Sequence, residues 1–250
     1  MDYALDNGAG AGLRLGLILL STDETLEYEA RSVIGTRDVN LLHSRIPANA
    51  HVTPEDLLLM APEMTRTAAL LPKGLSAVAY ACTSGSTIIG SDRVARLVGE
   101  AHPDAAVTNP LAAVIAALGA LGVTRIAMVT PYVTEVSGPM RAALAEAGIE
   151  VVSEVSFGQK EDWTVARITE ASTEAAMLAA AQVEGVEAVF ASCTNLRTFG
   201  IIEAVEARLG VPVISSNLAL IWDMLRQSGA EARGWGPGRL FDLKTEVRGQ

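Results

Sequence analysis

Residues 74–84 (GLSAVAYACTS) and residues 185–195 (GVEAVFASCTN) match each other at an offset of 111 positions. Five positions are identical. In each stretch an apolar run leads into Cys-Thr, and a polar residue follows. A continuous apolar run followed by small polar residues is typical of a buried parallel strand that leads into a helix. The match therefore indicates two copies of one α/β unit, with Cys82 and Cys193 at the ends of equivalent strands.

The rest of the chain continues this alternation of short apolar strands and helical patterns. Residues 14–18 (RLGLI) match residues 125–129 (RIAMV) at the same offset. We predict helices over residues 54–71, 86–100, 165–183 and 197–209, the first of them begun by Thr53 and Pro54. Strands that alternate with helices predict an α/β fold with parallel sheets covered on both faces.

Composition and charge exclude several classes of function. Half of the 250 residues are hydrophobic and 19% are charged, so the chain can bury a core and is not disordered. Acidic residues outnumber basic ones by 29 to 19, which argues against a nucleic-acid partner. The longest apolar runs, residues 13–20 and 111–121, are shorter than the ~20 residues of a membrane span. Residues 1–12 do not resemble a signal peptide, so we expect a cytoplasmic protein.

The two cysteines are the candidate catalytic residues. They are too few for a disulfide scaffold, and the three histidines lack the spacing of metal ligands, so no metal is expected. Ligands of open α/β sheets bind beyond the carboxyl ends of the strands, where the N–H groups of a following helix lower the pKa of a thiol. We predict reactive thiols on opposite sides of one small carboxylate substrate. The residues after them are predicted to bind it: Thr83, Ser84, Thr194 and Asn195.

Several motifs together resemble the maleate cis–trans isomerase family. These motifs are residues 80–86 (YACTSGS), 45–47 (RIP), 52–55 (VTPE), 130–132 (TPY) and 192–195 (SCTN). The family belongs to the aspartate/glutamate racemase superfamily, with hydantoin racemases and arylmalonate decarboxylase, and the resemblance covers most of residues 12–228. It implies two pseudo-symmetric flavodoxin-like halves, each a four-stranded parallel sheet flanked by helices, with a cofactor-independent site between them. The predicted halves are residues 12–109 plus 217–235 and residues 110–216, after a flexible terminus at 1–11.

The resemblance also implies a role for individual residues. Cys82 matches the cysteine that adds covalently to the alkene, and Cys193 matches the one that serves as acid and base. Tyr132 matches a tyrosine that hydrogen-bonds a substrate carboxylate. Arylmalonate decarboxylases lack a cysteine at the first position, so Cys82 argues against that branch. The expected activity is therefore a cofactor-independent isomerisation next to the carboxylate of a small acid.

Two departures from the family pattern concern the substrate. Asp23 stands where maleate isomerases carry Asn, and the segment 161–164 (EDWT) contains no second carboxylate-binding Asn. A carboxylate at Asp23 would repel a substrate carboxylate but would suit an ammonium group. An amino-acid or acylamino-acid racemase, for which an ectoine-utilisation branch would fit, is therefore an alternative. Trp163 is a further candidate for substrate contact, whereas Glu161 and Asp162 are interpreted as the solvated start of a helix.

Three other interpretations stay open at this point. A non-catalytic protein that binds a small molecule needs neither thiol. A redox-sensing pair needs the two sulfur atoms within disulfide distance. The apolar helix at residues 111–121 could lie in the core or could join protomers into a homo-oligomer, a dimer or a tetramer.

Overall fold

The computed structural model describes residues 1–6, 8, 9 and 12–244. Its first sheet contains four parallel strands in the order β2-β1-β3-β4. These strands are β1 (Leu13–Leu20), β2 (Val39–Ile46), β3 (Ala77–Ala81) and β4 (Ala106–Thr108). The predicted flexible terminus includes residues 7, 10 and 11, which lie outside the described residues.

The second sheet repeats the first. Its strands are β5 (Arg125–Tyr132), β6 (Glu150–Gln159), β7 (Ala188–Ala191) and β8 (Val213–Ser215). They are parallel and lie in the order β6-β5-β7-β8. Leu15 pairs with Ala77 in the first sheet, and Ile126 pairs with Ala188 in the second, so the sequence offset also preserves the pairing register. The predicted pair of four-stranded parallel sheets is confirmed.

Helices cover both sheets. Those before the second sheet are α1 (Leu26–Ile34), α2 (Pro54–Leu58), α3 (Met64–Ala68), α4 (Thr83–Ile89), α5 (Ser91–Gly99) and α6 (Pro110–Leu121). The later ones are α7 (Thr134–Glu146), α8 (Asp162–Val165), α9 (Glu170–Ala180), α10 (Ile202–Leu209) and α11 (Ser216–Gln227). Two 3-10 turns, Ala61–Glu63 and Arg239–Asp242, complete the set within the described residues.

Several predicted helices are divided or begin later. The helix expected over 54–71 is α2, a 3-10 turn and α3, because Pro62 has no N–H for a helical hydrogen bond. The helix expected over 86–100 is interrupted at Gly90, whose φ of 92° an L side chain rarely adopts. The helix expected over 165–183 is replaced by α8 and α9, since Thr169 caps α9 by accepting from the Ser172 N–H at 3.1 Å.

The carboxyl ends of β3 and β7 meet where the two sheets join. Helix α11 follows the second sheet but packs against β3 and β4 of the first, and α6 packs against α11. The Thr108 hydroxyl at the end of β4 donates to Asp223 of α11 at 2.6 Å. The Thr194 hydroxyl donates to the Ala81 carbonyl at the end of β3 at 3.5 Å. The apolar side of α6 is thus buried within this chain, and no helix among the described residues could cross a bilayer.

Candidate active site

Cys82 and Cys193 line the same small cavity, between the ends of β3 and β7. Its volume is about 20 Å³, enough for a water molecule. The predicted residues Asp23, Ser84, Tyr132, Thr194 and Asn195 also line it. The structure therefore brings seven of the predicted site residues to one cavity, although they come from four separate segments of the chain.

The Cys82 thiol lies at the start of α4. Cys82 has an extended backbone and caps the helix, and its Sγ accepts from the Gly85 N–H at 3.2 Å. The Ser84 hydroxyl is 3.5 Å from the same sulfur. The Tyr80 hydroxyl lies beneath the turn and donates to the Met60 sulfur at 3.4 Å. The first thiol therefore has the local environment that the sequence predicts.

The Cys193 thiol has a different environment from that of Cys82. The helix expected from residue 197 begins only at Ile202, so Cys193 is followed by a loop and not by a helix. Its Sγ accepts from the Asn195 N–H at 3.3 Å. Its backbone N–H donates to the Ser216 hydroxyl at 3.1 Å. The prediction of a helix N-terminus directly after the second cysteine is therefore wrong.

Thr83 does not face the cavity but links the two cysteine segments through hydrogen bonds to Ser216. Its side chain is fully buried, and its hydroxyl donates to the Ser216 hydroxyl at 2.8 Å. Ser216 in turn accepts from the Cys193 N–H. Thr83 is absent from the residues that line the cavity, so the structure corrects its predicted contact with substrate to a positioning role.

Burial makes both thiols weak acids in this structure. It raises the pKa of Cys82 to about 11, because loss of water outweighs the hydrogen bonds from Ser84 and Gly85. Burial, and to a smaller extent the nearby Asp162 carboxyl, raise the pKa of Cys193 well above its ordinary value. The hydrogen bond with the Tyr132 hydroxyl opposes this increase but is the weaker effect. The predicted lowering of the thiol pKa values is therefore wrong: both sulfurs carry protons at neutral pH.

Asp23 binds the first N–H groups of helix α1 and also faces the cavity. Its Oδ1 accepts from the N–H groups of Thr25 at 3.0 Å and Leu26 at 2.9 Å. Burial raises the pKa of Asp23 to about 6, against the lowering effect of these donors. Its Oδ2 is buried and has no hydrogen bond within the described structure. Asp23 therefore holds the chain at the start of α1 with one carboxylate oxygen and keeps the other free of hydrogen bonds to the described residues.

Asp162 is a site residue that the sequence analysis missed. It is buried, and its Oδ2 accepts from the Thr22 hydroxyl at 2.6 Å, so the predicted solvated position is wrong. Burial raises the pKa of Asp162. Asn195 holds it in place, because its Nδ2 donates to the Asp162 carbonyl at 3.1 Å and its Oδ1 accepts from the Glu24 N–H at 2.9 Å.

Trp163 lies outside the cavity. Its side chain is 62% exposed, and the Arg167 guanidinium stacks over its ring at 4.1 Å. The first turn of α8 directs the side chain of Asp162 inward and that of Trp163 outward. The predicted substrate contact of Trp163 is therefore corrected to a surface position.

A segment between β2 and α3 covers the cavity. Seven of its residues line the cavity, and only Val52 lies in a motif that the sequence analysis singled out: Ala48, Asn49, His51, Val52, Asp56, Leu57 and Met60. Backbone hydrogen bonds tie this covering segment to the end of β6, since the Val52 N–H donates to the Lys160 carbonyl at 2.8 Å and the Asp162 N–H donates to the Ala50 carbonyl at 3.1 Å. Within the described part of the chain, no cluster of metal-binding side chains occurs.

Comparison with known proteins gives matches along most of the chain. A family model described as arylmalonate decarboxylase matches residues 51–241. The chain is 36% identical to arylmalonate decarboxylase of Bordetella bronchiseptica over 137 residues, which cover 54% of this chain but only 57% of that protein. It is 25% identical to maleate isomerase of Geobacillus stearothermophilus over 228 residues, which cover 85% of this chain and 90% of that protein.

A solved structure of another maleate isomerase has the same fold. It is a mutant of maleate cis–trans isomerase of Nocardia farcinica with a covalently bound succinylcysteine intermediate, and its TM-score is 0.84. The match has 23% identity and covers 92% of this chain and 98% of that chain. Together with the sequence matches, it confirms the resemblance predicted from the cysteine motifs.

Proposed function

The chain belongs to the arylmalonate decarboxylase family, and we propose that it is an isomerase acting at a carbon next to a carboxylate of a small acid, as its maleate isomerase relatives are. The observation that carries the proposal is the pair of thiols, Cys82 and Cys193, on one cavity at the ends of equivalent strands. A molecule bound between β3 and β7 would have one sulfur on each side. Binding alone does not require two thiols in equivalent positions.

In the proposed reaction, Cys82 is the nucleophile and Cys193 is the acid and base. The Cys82 thiol must first lose its proton, and the carboxylates of Asp23 and Asp162 are bases on the same cavity. Its sulfur then bonds to one alkene carbon, while the π electron pair takes the proton of the Cys193 thiol onto the other carbon. The carbon–carbon single bond rotates. The Cys193 thiolate then takes a proton back, the double bond re-forms and the carbon–sulfur bond breaks.

The Nocardia farcinica enzyme supports a covalent step. Its succinylcysteine intermediate joins a cysteine sulfur to a four-carbon acid, the kind of adduct expected from addition of a thiol to an alkene diacid. Tyr132, whose side chain reaches the cavity, is proposed to hydrogen-bond a substrate carboxylate. Ser84, Thr194 and Asn195, which also line the cavity, are proposed to orient the substrate.

A second candidate is a racemase of an amino acid or an acylamino acid. One thiolate would remove the α-proton from one face of the carbon, and the other thiol would donate a proton to the opposite face, so that neither sulfur bonds to carbon. The two carboxyls of Asp23 and Asp162 favour this candidate, because they disfavour a second substrate carboxylate.

The two candidates are separated by NMR in D2O with maleate, phenylmalonate and amino acids, using wild type, Cys82→Ser and Cys193→Ser. An isomerase converts the alkene, loses conversion in both variants and leaves a substrate-mass adduct on Cys82. A racemase incorporates deuterium at the α-carbon without an adduct. Loss of carbon dioxide from phenylmalonate would indicate decarboxylation instead. Ligand binding that is equal in all three proteins, without turnover, would refute both candidates and leave a binding protein.

A further inference from the structure

The charged groups on the cavity are nearly all acidic. Asp23 and Asp162 lie on it in buried positions, and Asp56 lies at its more exposed side. Among the described residues that line it, none is Lys or Arg, and His51 is the single basic side chain. A substrate with two carboxylates would therefore bring two more negative charges to a surface that offers little positive charge.

The arginines beside this region, Arg45 and Arg167, do not supply the missing charge to the cavity. Arg167 pairs with Glu24 at 3.0 Å and donates to the Trp163 carbonyl at 2.8 Å, and it does not line the cavity. Arg45 donates through Nη1 to the backbone carbonyls of Leu20 at 3.0 Å and Asp23 at 2.8 Å. Its other terminal nitrogen pairs with Glu27 at the surface. The guanidinium is thus occupied by partners outside the cavity, and it does not line the cavity.

One carboxylate oxygen in the cavity is left for a ligand. Asp23 is 4% exposed, and its Oδ1 is occupied by two backbone N–H groups. Its Oδ2 has no hydrogen bond to any described residue. The Thr194 hydroxyl, which also interacts with this carboxyl, has its hydrogen bond to the Ala81 carbonyl. A buried carboxylate oxygen without a donor is an acceptor that a bound cation would satisfy.

Asp162 brings a second carboxyl to the same place. Thr22 and Asn195 fix its position through its side chain and backbone, so it cannot swing to solvent without breaking both contacts. Both carboxyls line the same cavity of about 20 Å³. Burial is the main cause of the raised pKa of Asp23, and the charge of Asp162 raises it further. A cation between them would remove this repulsion.

We propose that Asp23 and Asp162 together bind an ammonium group, so that the substrate of the thiol pair is a small ammonium-bearing carboxylic acid and not a dicarboxylate. The ammonium would donate to Asp23 Oδ2 and to the Asp162 carboxylate. The hydroxyls of Ser84 and Tyr132 remain for the single substrate carboxylate. The proposal rests on the proposed function only in that the ligand of this cavity is taken to be the substrate of the thiols.

The test measures binding at about pH 8, above the raised pKa of Asp23. The probes are two matched pairs, 2-aminobutyrate with butyrate and aspartate with succinate, titrated by calorimetry into wild type and into the double variant Asp23→Asn/Asp162→Asn. Wild type is expected to bind each ammonium acid at least roughly tenfold more tightly than its partner, since a hydrogen bond between charged groups contributes that much. The double variant is expected to lose this preference and to bind succinate more tightly than wild type does.

Glu161→Gln is the matched control, because it removes an exposed carboxylate next to Asp162 and should leave the preference unchanged. If the double variant does not fold, the comparison of the two pairs in wild type and in Asp23→Asn alone still decides. Equal binding of succinate by wild type and the variants, or no binding of either ammonium acid, would overturn the proposal. If wild type prefers the ammonium acids but shows no turnover, this proposal stands and the isomerase is refuted. If wild type converts maleate efficiently, the isomerase stands and this proposal is refuted.

Discussion

Glu29 of α1 joins the two halves of the molecule through a buried carboxylate. Its Oε1 accepts from the N–H groups of Thr198 at 2.6 Å and Phe199 at 3.0 Å, in the loop after β7. Its Oε2 accepts from Asn217 Nδ2 of α11 at 2.6 Å. Burial nevertheless raises the pKa of Glu29 from 4.5 to about 7, because the loss of water outweighs these donors. The stability of the fold should therefore depend on the protonation of this one group.

The direction of the effect follows from the raised pKa. Between pH 4.5 and about 7 the folded protein retains a proton that the unfolded chain has released, so the free energy of unfolding falls as the pH rises. The difference between a pKa of 4.5 and one of about 7 corresponds to about 3 kcal/mol. Glu29→Gln removes this titration. The free energy of unfolding of the variant minus that of wild type should therefore increase by about 3 kcal/mol across this pH range.

Urea unfolding of wild type and Glu29→Gln at several pH values measures the change. The amide introduced by the substitution faces the Asn217 donor, which adds a loss of stability that does not depend on pH, so the slope and not the offset is decisive. Glu24→Gln serves as a control of opposite sign, because Arg167 lowers the pKa of Glu24. A difference between wild type and Glu29→Gln that stays constant with pH, or falls as the pH rises, would refute the reasoning.

Three further outcomes are expected. Trp163→Ala should keep substrate binding and turnover within about twofold, because its ring is 62% exposed and outside the cavity; a loss of turnover in a steady-state assay would contradict this position. Gly85→Ala should lower the free energy of unfolding by about 1–3 kcal/mol and abolish turnover, because its Cβ would collide with the Tyr80 hydroxyl and lie 3.0 Å from the Cys82 sulfur. Gly99→Ala, whose Cβ would have nothing within 4 Å, should do neither. The ultraviolet absorbance of the Cys82 thiolate, measured as the difference between Cys193→Ser and the variant that lacks both thiols, should appear only as the pH approaches its pKa of about 11; a titration that is complete below about pH 9 would contradict the raised pKa.

The fold was predictable because the strands carry their own signal. Continuous apolar runs marked the buried strands, and the offset between the two halves fixed which strands correspond. The helix boundaries were harder, since the interruption at Gly90 and the end of α8 are set by backbone geometry and packing rather than by a change in hydrophobic pattern. A helical pattern predicts where a helix can form, and tertiary contacts decide where it stops.

The site was predictable only where its residues follow a strand. Both cysteines, Thr194 and Asn195 come directly after apolar runs, so their place at the sheet edge follows from the sequence. Asp162 had no such signal. It is brought inward because the segment at His51 pairs with Glu161 across more than a hundred residues of chain, a contact that no local pattern encodes. The direction of the thiol pKa shifts was missed for the same reason, because burial depends on what covers the cavity.

The two copies of the cysteine motif are no longer equivalent in the folded protein, and this asymmetry bears on their roles. Cys82 begins a helix and receives the Gly85 N–H, so a charge that develops on its sulfur is stabilised by the start of α4. Cys193 begins a loop that crosses to the other half, where the Asn195 carbonyl accepts from the Thr25 hydroxyl at 3.0 Å. Its sulfur interacts with the Tyr132 hydroxyl, a group that can hold a proton beside it. The first environment suits a nucleophile and the second an acid and base, so the asymmetry supports the different roles proposed for Cys82 and Cys193.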